Sequence, residues 1–387
     1  MRVLFMSTPV STHFAPSIPL AWALRAAGHE VLVAGQPDIV GTAHGAGLCT
    51  AVVGEYFDAL EPLTSGLPDG KRPIEVGRTR VRDGHWDAVN KIWLIHCRYM
   101  VSRYLALARE WQPDLIVADP LEFSALIVGG VLGIPTVNRR WGIDPAGFPG
   151  QEMARRTMGT MLGRLGLDGL PEPALVIDPC PPSLQVPEAP PSQGMRYVPY
   201  NGTGTLPDWA KEEPRGQRRI CVTFGRLTAA LNGIPLFRAT AEAAGELDGV
   251  ETILTLEPEF QDELGSVPPS VRVVDPAPLN LFLDTCDAIV HHGGASSTLT
   301  ASAYGLPQLV LPGITDTFVV ADRVEAVGAG RQLDEAETQN DPAAIQAALR
   351  AVLDEPGYTK GAHQLRDEIA AMPTPADLVP VLEELVG

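Results

Sequence analysis

The 387-residue sequence has little of what marks nucleic-acid-binding or membrane proteins. Its 29 Lys and Arg are outnumbered by 47 Asp and Glu, so the formal net charge is −18, and such a surface repels phosphate backbones. No apolar run approaches the roughly 20 residues of a membrane span, and the apolar run at residues 1–6 is too short for a signal peptide. The sequence therefore predicts a cytoplasmic protein without a nucleic-acid or membrane partner.

Cysteine is also scarce, and no two cysteines form a Cys-x-x-Cys pair. This spacing predicts reduced, mostly buried thiols rather than disulfides or a zinc site. Neither the dinucleotide-binding pattern Gly-x-Gly-x-x-Gly nor the P-loop pattern occurs, which disfavours a dehydrogenase and a P-loop nucleotidase. The five cysteines are Cys49, Cys97, Cys180, Cys221 and Cys286.

Hydrophobic periodicity predicts two α/β units in the first half of the chain. Residues 3–7 form a short apolar run, residues 16–27 carry apolar side chains at helical spacing, and residues 30–34 are the next strand. A second unit follows at residues 114–118, 122–132 and 135–137. Alternating strands and helices of this kind build a parallel sheet.

The middle of the chain interrupts this pattern, and the pattern then restarts. Residues 170–216 are rich in Pro and Gly, which predicts neither regular helix nor central strand but a wall loop leading into a linker. Strands are then predicted at 220–224, 251–256, 271–274, 288–291 and 308–311, and helices at 235–247, 279–285, 296–304 and 319–327. The predicted parts are an N-terminal domain 1–196, a linker 197–216, a C-terminal domain 217–370, and a C-terminal helix within 371–387 that packs back on the first domain.

We therefore expect two facing, doubly wound Rossmann-like domains. Ligands of such sheets bind beyond the carboxyl ends of the strands. The cleft between two such domains is the expected active site.

The most informative motif is the segment AIVHHGGASST at residues 288–298. A buried strand ends, Gly293 and Gly294 let the backbone approach a ligand, and hydroxyl residues open a helix whose free N–H groups attract an anion. One of the two adjacent histidines can donate to a phosphate oxygen. A plain Gly-rich turn with Ser helix caps is the alternative, but it leaves the paired histidines and the turn at 311–317 unexplained.

At this motif the chain resembles the family 1 glycosyltransferases of the GT-B fold. Residues 290–295 (VHHGGA) and 305–312 (GLPQLVLP) resemble their donor-binding signature. The likeness extends nearly end to end and is nearest the bacterial enzymes that decorate polyketide antibiotics, in the subgroup of spinosyn rhamnosyltransferase and the angucycline C-glycosyltransferases. It is carried further by residues 20–31, 140–145, 178–185 and 196–202.

The resemblance implies a set of donor-binding residues. Gly225 and Arg226 would approach the diphosphate from the side opposite the cradle, residues 276–279 with Pro278 and Leu279 would present backbone groups to the base, and Asp316 would face the sugar together with Thr317. Donors in this subgroup are usually dTDP-sugars. The diphosphate would be held by His291, Gly293, Gly294, Ala295, Ser296 and Ser297.

Two positions depart from the family pattern. Ser296-Ser297 stands where Gly-Thr is usual, which requires helical backbone there, and Asp316-Thr317 stands where Asp-Gln is frequent. Thr317 offers one hydroxyl and a methyl group, which suits a sugar lacking oxygens, so the sequence predicts a deoxyhexose rather than glucose. The alternative is that Thr317 merely caps the helix predicted from residue 319.

The candidate general base is His13, on the loop after the first strand. An imidazole at the cleft titrates near neutrality and can take a proton from an acceptor hydroxyl. A solvated or capping histidine is the alternative from the residue alone, but a histidine in this loop is the usual base of the family. Asp119, after residues 114–118, would bond to one ring nitrogen and support the imidazolium, unless it only caps the following helix.

The implied reaction is a single displacement that inverts the anomeric centre. The leaving diphosphate would be stabilised by the helix N-terminus, and no metal is expected because no Asp-x-Asp cluster stands near the cleft. The acceptor would be a small hydrophobic aglycone contacting Trp93, Phe123 and Trp141, each of which is equally interpretable as core. Asp144 could help activate a phenolic ring, with a turn residue before Pro145 as the alternative.

Two other functions share the predicted fold. A GT-B-fold nucleotide-sugar epimerase would use the same cradle without an acceptor pocket. A non-catalytic nucleotide-sugar-binding auxiliary protein would need neither His13 nor Asp119. Self-association as a homodimer is left open by the sequence.

Overall fold

Two parallel sheets organise the structure, a computed structural model that describes residues 1–58, 61–78, 80–81 and 86–387. The first sheet belongs to the N-terminal half. Its strands are β1 (Arg2–Met6), β2 (Glu30–Gly35), β3 (Thr50–Val52), β4 (Leu115–Ala118), β5 (Thr136–Arg139), β6 (Leu175–Asp178) and β7 (Gln193–Gly194).

The spatial order of the first sheet is β3-β2-β1-β4-β5-β6-β7, with every pairing parallel. Successive residues of a strand face opposite sides of the sheet. Accordingly, Leu4 and Met6 of β1 pack with one core cluster, and Val3 and Phe5 pack with another on the opposite face. The helices that supply these cores are α1 (Ser11–Phe14), α2 (Ile18–Ala26), α3 (Pro37–Gly45), α4 (Glu61–Thr64), α5 (Trp86–Trp111), α6 (Phe123–Leu132), α7 (Gly147–Thr157) and α8 (Gly159–Arg164).

The second sheet repeats this plan in the C-terminal half, with the order β10-β9-β8-β11-β12-β13 and parallel pairing throughout. Its strands are β8 (Arg218–Thr223), β9 (Val250–Thr255), β10 (Val271–Val274), β11 (Ala288–His291), β12 (Gln308–Val310) and β13 (Gly330–Gln332). Its helices are α9 (Gly225–Ala230), α10 (Ile234–Gly245), α11 (Pro258–Leu264), α12 (Ala295–Tyr304), α13 (Asp316–Ala326), α14 (Ala336–Gln339), α15 (Pro342–Asp354), α16 (Pro356–Ala371) and α17 (Val379–Glu384).

The predicted fold class is confirmed: the molecule has two Rossmann-like α/β halves with parallel sheets, as in GT-B glycosyltransferases. One local prediction is wrong, because β6 lies inside the segment expected to lack central strands. Residues 174–177 read Ala-Leu-Val-Ile between Pro173 and Pro179, so the prolines end the strand at both sides without interrupting its ladder. Two stretches of 3₁₀ helix, Leu279–Leu281 and Leu283–Thr285, replace the single helix predicted over 279–285.

The last helix returns to the first half of the molecule. Leu378, Val379 and Leu382 pack in the same core cluster as Val3 and Phe5 of β1. Before it, Arg196 donates its backbone N–H to the carbonyl of Pro373 at 2.6 Å. The chain therefore crosses between the halves twice, once through the linker and once after α16. Among the described residues, no helix is long and apolar enough to cross a membrane.

Candidate active site

The two strand-order reversals, between β1 and β4 and between β8 and β11, define where a ligand should bind. At the first reversal Met6 pairs with Ala118, so the loop holding His13 and the residue Asp119 emerge side by side. At the second, Thr223 pairs with His291, so Gly225 emerges beside the glycine turn that follows β11. The main predicted catalytic and diphosphate-binding residues thus lie at the carboxyl ends of these four strands.

Thr8 connects His13 to Asp119. The hydroxyl of Thr8 lies 2.8 Å from Nδ1 of His13 and donates to Oδ2 of Asp119 at 3.1 Å. The same carboxylate oxygen accepts from the Thr8 N–H at 2.7 Å and from the Ser7 hydroxyl at 2.9 Å. The direct carboxylate–imidazole bond expected from the sequence is therefore wrong, because a threonine hydroxyl occupies the space between the two groups.

This arrangement fixes the tautomer of His13. Because the Thr8 hydroxyl gives its proton to Asp119, its oxygen must accept from Nδ1–H, which leaves Nε2 of His13 with a free lone pair. Burial lowers the pKa of His13 below its ordinary value, while Asp119 and then Asp316 act to raise it. At neutral pH the ring is accordingly neutral and able to take a proton at Nε2.

Two tryptophans enclose the imidazole of His13. Trp141 stacks on it with ring centroids 4.3 Å apart and an interplanar angle of 13°, and Trp93 of α5 lies at 5.8 Å. Both indoles are almost completely buried. Two of the predicted acceptor residues therefore contact the predicted base directly.

The other two predicted acceptor residues do not reach this space. Phe123, the first residue of α6, is completely buried in the core, which agrees with the alternative interpretation as ordinary core. Asp144 is also buried, and its Oδ1 accepts from the N–H of Gly147 at 2.6 Å, at the start of α7. It is a turn residue, because its carboxylate is hydrogen-bonded within its own turn. Burial raises the pKa of Asp144 to about 6.

A buried ionic network holds the loop that carries Trp141. Arg140 donates to Asp178 at 2.7 Å, and Gln185 donates to Asp178 at 3.0 Å and to the carbonyl of Gly142 at 3.1 Å. A β-carbon added to Gly142 would lie 3.0 Å from the β-carbon of Ala295. Glycine here lets the loop rest directly on the start of α12, and the network holds the loop at this contact with the second half.

The glycine turn after β11 leaves donors unpaired at the cleft. Helix α12 begins at Ala295 with no side-chain cap, so the N–H groups of its first turn have no partner within the helix. Among the described residues, the hydroxyls of Ser296 and Ser297 accept and donate no hydrogen bond. The macrodipole of this ten-residue helix adds positive potential at the same place, so the turn has the chemistry of an anion site.

Of the two adjacent histidines, His291 has a structural role and His292 lies at the cleft. Nε2 of His291 lies 2.8 Å from Oε1 of Gln308, and Nδ1 accepts from the N–H of Gly293 at 3.0 Å. Because His291 is completely buried with both nitrogens bonded, its side chain cannot contact a diphosphate, contrary to the prediction. Its role is to hold the turn in which Gly293 takes a φ of 88°.

His292 occupies the mouth of the cradle instead. Its ring passes Gly294 and Gly225 so closely that β-carbons there would lie 2.6 and 3.4 Å from ring atoms. Its Nδ1 is buried, and the backbone of Thr223 lies near enough to the ring to act against the lowering of its pKa. Burial lowers its pKa to about 4, so a neutral imidazole faces the place expected for the diphosphate.

The remaining residues predicted to bind the nucleotide sugar are Arg226, Pro278 and Leu279. Arg226 is 70% exposed and pairs with Glu259 at 3.1 Å, so its guanidinium does not contact the cradle. Pro278 is buried under the linker, where a β-carbon on Gly204 would lie 2.5 Å from it. Leu279 is part of the core with a side chain only 7% exposed, so only backbone groups there remain for a nucleotide base.

Asp316 and Thr317 take different positions at the start of α13. Thr315 precedes them with a φ of 34°, a conformation that costs energy outside glycine. Asp316 lies near enough to His13 to raise its pKa across the cleft. The Thr317 hydroxyl accepts from the N–H groups of Gly313 and Ile314, both at 3.2 Å, so it caps the turn, and the prediction that it faces the sugar is wrong.

Three site residues were not predicted from the sequence: Ser7, Thr8 and His292. Ser7 and Thr8 follow the last paired residue of β1, and a hydroxyl at a strand end beside a carboxylate is the signal that could have identified them. His292 is the first residue beyond β11, whereas His291 still pairs within the sheet. Residues just past a strand end face the cleft, and this position separates the two histidines.

Comparisons with known proteins identify the family of the chain. The model of the N-terminal domain of erythromycin biosynthesis protein CIII-like proteins matches residues 22–225, and the model of their C-terminal domain matches residues 238–385. The L-demethylnoviosyl transferase of Streptomyces niveus is 36% identical, over 97% of this chain and 96% of its own. The aclacinomycin-T 2-deoxy-L-fucose transferase of Streptomyces galilaeus is 34% identical, over 100% of this chain and 96% of its own.

Solved structures match over the same extent. Spinosyn rhamnosyltransferase SpnG superposes with a TM-score of 0.87 at 39% identity, covering 99% of this chain and 100% of its own. The glycosyltransferase SnogD of Streptomyces nogalater superposes with a TM-score of 0.80 at 34% identity, covering 100% and 99%. The chain is therefore a glycosyltransferase and belongs to the EryCIII-like family.

Proposed function

We propose that this enzyme transfers a deoxysugar from a dTDP-sugar to a hydroxyl group of a polyketide-type aglycone, with inversion at the anomeric carbon and with His13 as the general base. The observation that carries the proposal is the position of His13. Its Nδ1 is bonded to Thr8, its Nε2 is free among the described residues, and the charge of Asp316 reaches it from the other half of the cleft.

The proton would move along a defined path. The acceptor hydroxyl gives its proton to Nε2 of His13 while its oxygen attacks the anomeric carbon. The imidazolium that forms is stabilised through Thr8 by Asp119, whose carboxylate is held by three hydrogen bonds at one oxygen. The logic is that of a serine-protease triad, with a threonine hydroxyl between the histidine and the carboxylate.

The leaving group would depart on the opposite face of the sugar. As the anomeric bond breaks, negative charge develops on the diphosphate. The unpaired N–H groups of the first turn of α12, the hydroxyls of Ser296 and Ser297, and the ring of His292 provide donors for that charge without a metal ion. Among the described residues, no three His, Cys, Asp or Glu side chains are grouped as metal ligands.

The names of the relatives support the choice of substrates. The Streptomyces galilaeus relative is a 2-deoxy-L-fucose transferase, and a 34% identical relative from Streptomyces venezuelae is a 10-deoxymethynolide desosaminyltransferase. SpnG has been solved with thymidine diphosphate and with spinosyn aglycone, and both structures superpose with a TM-score of 0.87. The relatives named here are all transferases, which favours transfer over epimerisation.

The acceptor would lie against the aromatic wall beside the base. Trp93 and Trp141 flank His13, and Phe57 stacks against Trp93 at 6.2 Å. A flat or macrocyclic apolar aglycone gains most from such a wall, since aromatic rings bury large area with defined geometry. Its reacting hydroxyl would then be the polar group that reaches Nε2 of His13.

The test is a transfer screen with stereochemical analysis. The purified enzyme is incubated with dTDP-rhamnose, dTDP-2-deoxyfucose and dTDP-glucose against a panel of polyketide aglycones, and products are detected by mass spectrometry. Nuclear magnetic resonance then gives the anomeric configuration of the product. Conversion with inversion, favouring the deoxysugars, supports the proposal. Retention of configuration, or turnover of the nucleotide sugar in the absence of any acceptor, would contradict it.

A further inference from the structure

A segment of the first half lies across the second half and is not used by the mechanism above. Residues 68–78, which we call the clasp, contain a short 3₁₀ helix at Pro73–Val76. Arg72 at its start is buried with 4% of its surface exposed. A buried guanidinium needs partners, because an unpaired buried charge is costly.

The partners of Arg72 come from the opposite half. Its NH1 donates to Oε1 of Gln339 at 2.7 Å, and its NH2 donates to Oδ1 of Asn340 at 2.6 Å. Asn340 in turn donates to Glu75 at 3.2 Å, and Glu75 accepts from the N–H of Arg72 at 2.8 Å. The clasp and the end of α14 therefore share one closed ring of hydrogen bonds.

Gln339 links Arg72 to the loop before α13. It is completely buried, and its Nε2 donates to the carbonyls of Pro312 and Leu333, both at 2.8 Å. Pro312 begins the turn that ends at Asp316. Because Arg72 holds the oxygen of the amide, it fixes the amide nitrogen toward Pro312.

Further contacts at the clasp and just beyond it reach elements of the donor side. Asn232, just after α9, donates to the carbonyl of Lys71 at 3.0 Å, and α9 begins at Gly225. Beyond the clasp, Arg80 pairs with Asp322 of α13 and with Asp334. Residues of the first half thus contact the second half next to α9, which begins beside His292, and on α13, which begins at the proposed sugar position.

We propose that the clasp is an interdomain device in which Arg72 is a positioning residue. Arg72 acts through Gln339 on the turn at 312–316 and sets the place of Asp316 opposite His13. The position of Asp316 that activity requires then depends on contact between the clasp and the second half. When the two halves separate, the turn at 312–316 loses this restraint. The catalytic part of this inference rests on the proposed function, whereas the structural coupling does not.

Hydrogen–deuterium exchange of the intact, unliganded protein tests the coupling. In Arg72→Met we expect the amides of residues 313–318 to exchange about tenfold faster, since hydrogen bonds to a charged donor are lost. Arg72→Lys should restore part of the protection, because an ammonium can still reach one of the two amides. Arg78→Met is the matched control: Arg78 lies in the same clasp but, among the described residues, donates only to the carbonyls of Leu63 and Ser65 in its own half.

The outcome that overturns the inference is unchanged exchange at 313–318 in folded Arg72→Met, or an equal increase in Arg78→Met. If Arg72→Met does not fold, Asn340→Ala decides, because Asn340 is exposed and its side chain bonds to Arg72 and Glu75. It should raise exchange in the same residues by a smaller factor. Unchanged exchange in folded Asn340→Ala would also overturn the coupling.

A second measurement separates positioning from a merely structural role. With a dTDP-sugar and an aglycone that the enzyme accepts, Arg72→Met should lower kcat by about tenfold and change the acceptor KM less, because Asp316 lies at the reacting centre rather than at the acceptor wall. Equal loss in both parameters would contradict the positioning role. If the wild-type enzyme transfers no sugar at all, the proposed function fails, while the exchange experiment still decides the coupling.

Discussion

At the carboxyl ends of β1 and β4 the polar side chains are bonded to one another, whereas at the carboxyl ends of β8 and β11 several polar groups have no partner in the part of the chain that the structure describes. His13, Thr8 and Asp119 form a continuous hydrogen-bonded chain. The first turn of α12, by contrast, has no side-chain cap, so its N–H groups have no partner within the helix.

This difference matches the chemistry expected of each side. A general base must hold one tautomer and one orientation before the substrate arrives, so its partners are built into the protein. A site for a diphosphate must instead keep donors available, and desolvated donors are satisfied only when the anion binds. The acceptor side is thus preorganised for proton transfer, and the donor side is completed by its ligand.

Removing the base should give the largest effect. His13→Ala should lower kcat by about a thousandfold, in the range typical of general-base removal, while the dissociation constant for thymidine diphosphate stays near that of wild type. Transfer assays and isothermal titration calorimetry measure the two quantities separately. Near-normal turnover in the variant would show that another group takes the proton.

Breaking the connection between His13 and Asp119 should have the next largest effect. Thr8→Val keeps the shape of the side chain but leaves the imidazole N–H and the carboxylate without their shared hydroxyl. An unsatisfied buried polar group costs about 1–3 kcal/mol, so kcat should fall roughly 5- to 150-fold. Thr8→Ser is the control, because it retains the hydroxyl and should keep most of the activity. Equal losses in both variants would mean that Thr8 acts through packing.

The extent to which sequence predicted this site follows from the range of the interactions. The ends of β1, β4 and β11 and the glycine turn follow from local apolar runs and glycine positions, so His13, Asp119 and Gly293 were found. The distinction between His291 and His292 depends on Gln308 in the neighbouring strand. The intervening hydroxyl of Thr8 depends on β1 and β4 being adjacent. Neither of these long-range contacts produces a pattern of residues in the local sequence.

The interface between the halves was beyond sequence reasoning for the same reason. Arg72 and Gln339 are 267 residues apart, and nothing in either local segment indicates the other. Thr317 illustrates the opposite error. Its methyl group and hydroxyl suggested a sugar contact. In the structure the hydroxyl instead accepts from the N–H groups of Gly313 and Ile314 and so caps the turn at 313–316.

On the donor side, truncating the accessible histidine should weaken substrate binding. His292→Ala should raise the KM for the dTDP-sugar about tenfold, because one donor to the diphosphate is lost while the helix N-terminus remains. The acceptor KM should stay unchanged. His363→Ala provides a control, since His363 is exposed on α16. A larger effect on the acceptor KM than on the donor KM would contradict the assignment of His292 to the donor side.

The pH dependence of kcat/KM tests the charge around the base. Since burial lowers the pKa of His13 below 6.5, the acid limb of the profile should lie below pH 6.5, and activity should rise with pH through that limb. Asp119 raises this pKa, so Asp119→Asn should move the limb to lower pH while also lowering the plateau. Asp114→Asn, at the exposed amino end of the same strand, should leave the limb in place. A limb that moves to higher pH in Asp119→Asn would contradict the arrangement.

The smallest effect is expected from removal of divalent metal. On the donor side the charge that develops on the diphosphate is met by N–H groups and hydroxyls at the start of α12 and by a neutral imidazole, and the described residues contain no group of three potential metal ligands. We therefore expect these protein donors, rather than a carboxylate-bound cation, to balance the leaving group. Excess chelator should leave kcat and the donor KM within about twofold of their original values, because no interaction with the substrate is removed. The same assay with His292→Ala sharpens the comparison between the two sides. If the protein donors carry the stabilisation, adding magnesium should not restore the donor KM of that variant. Activity that disappears with chelator and returns only with added metal would show that a cation, and not the helix N-terminus, completes the donor side.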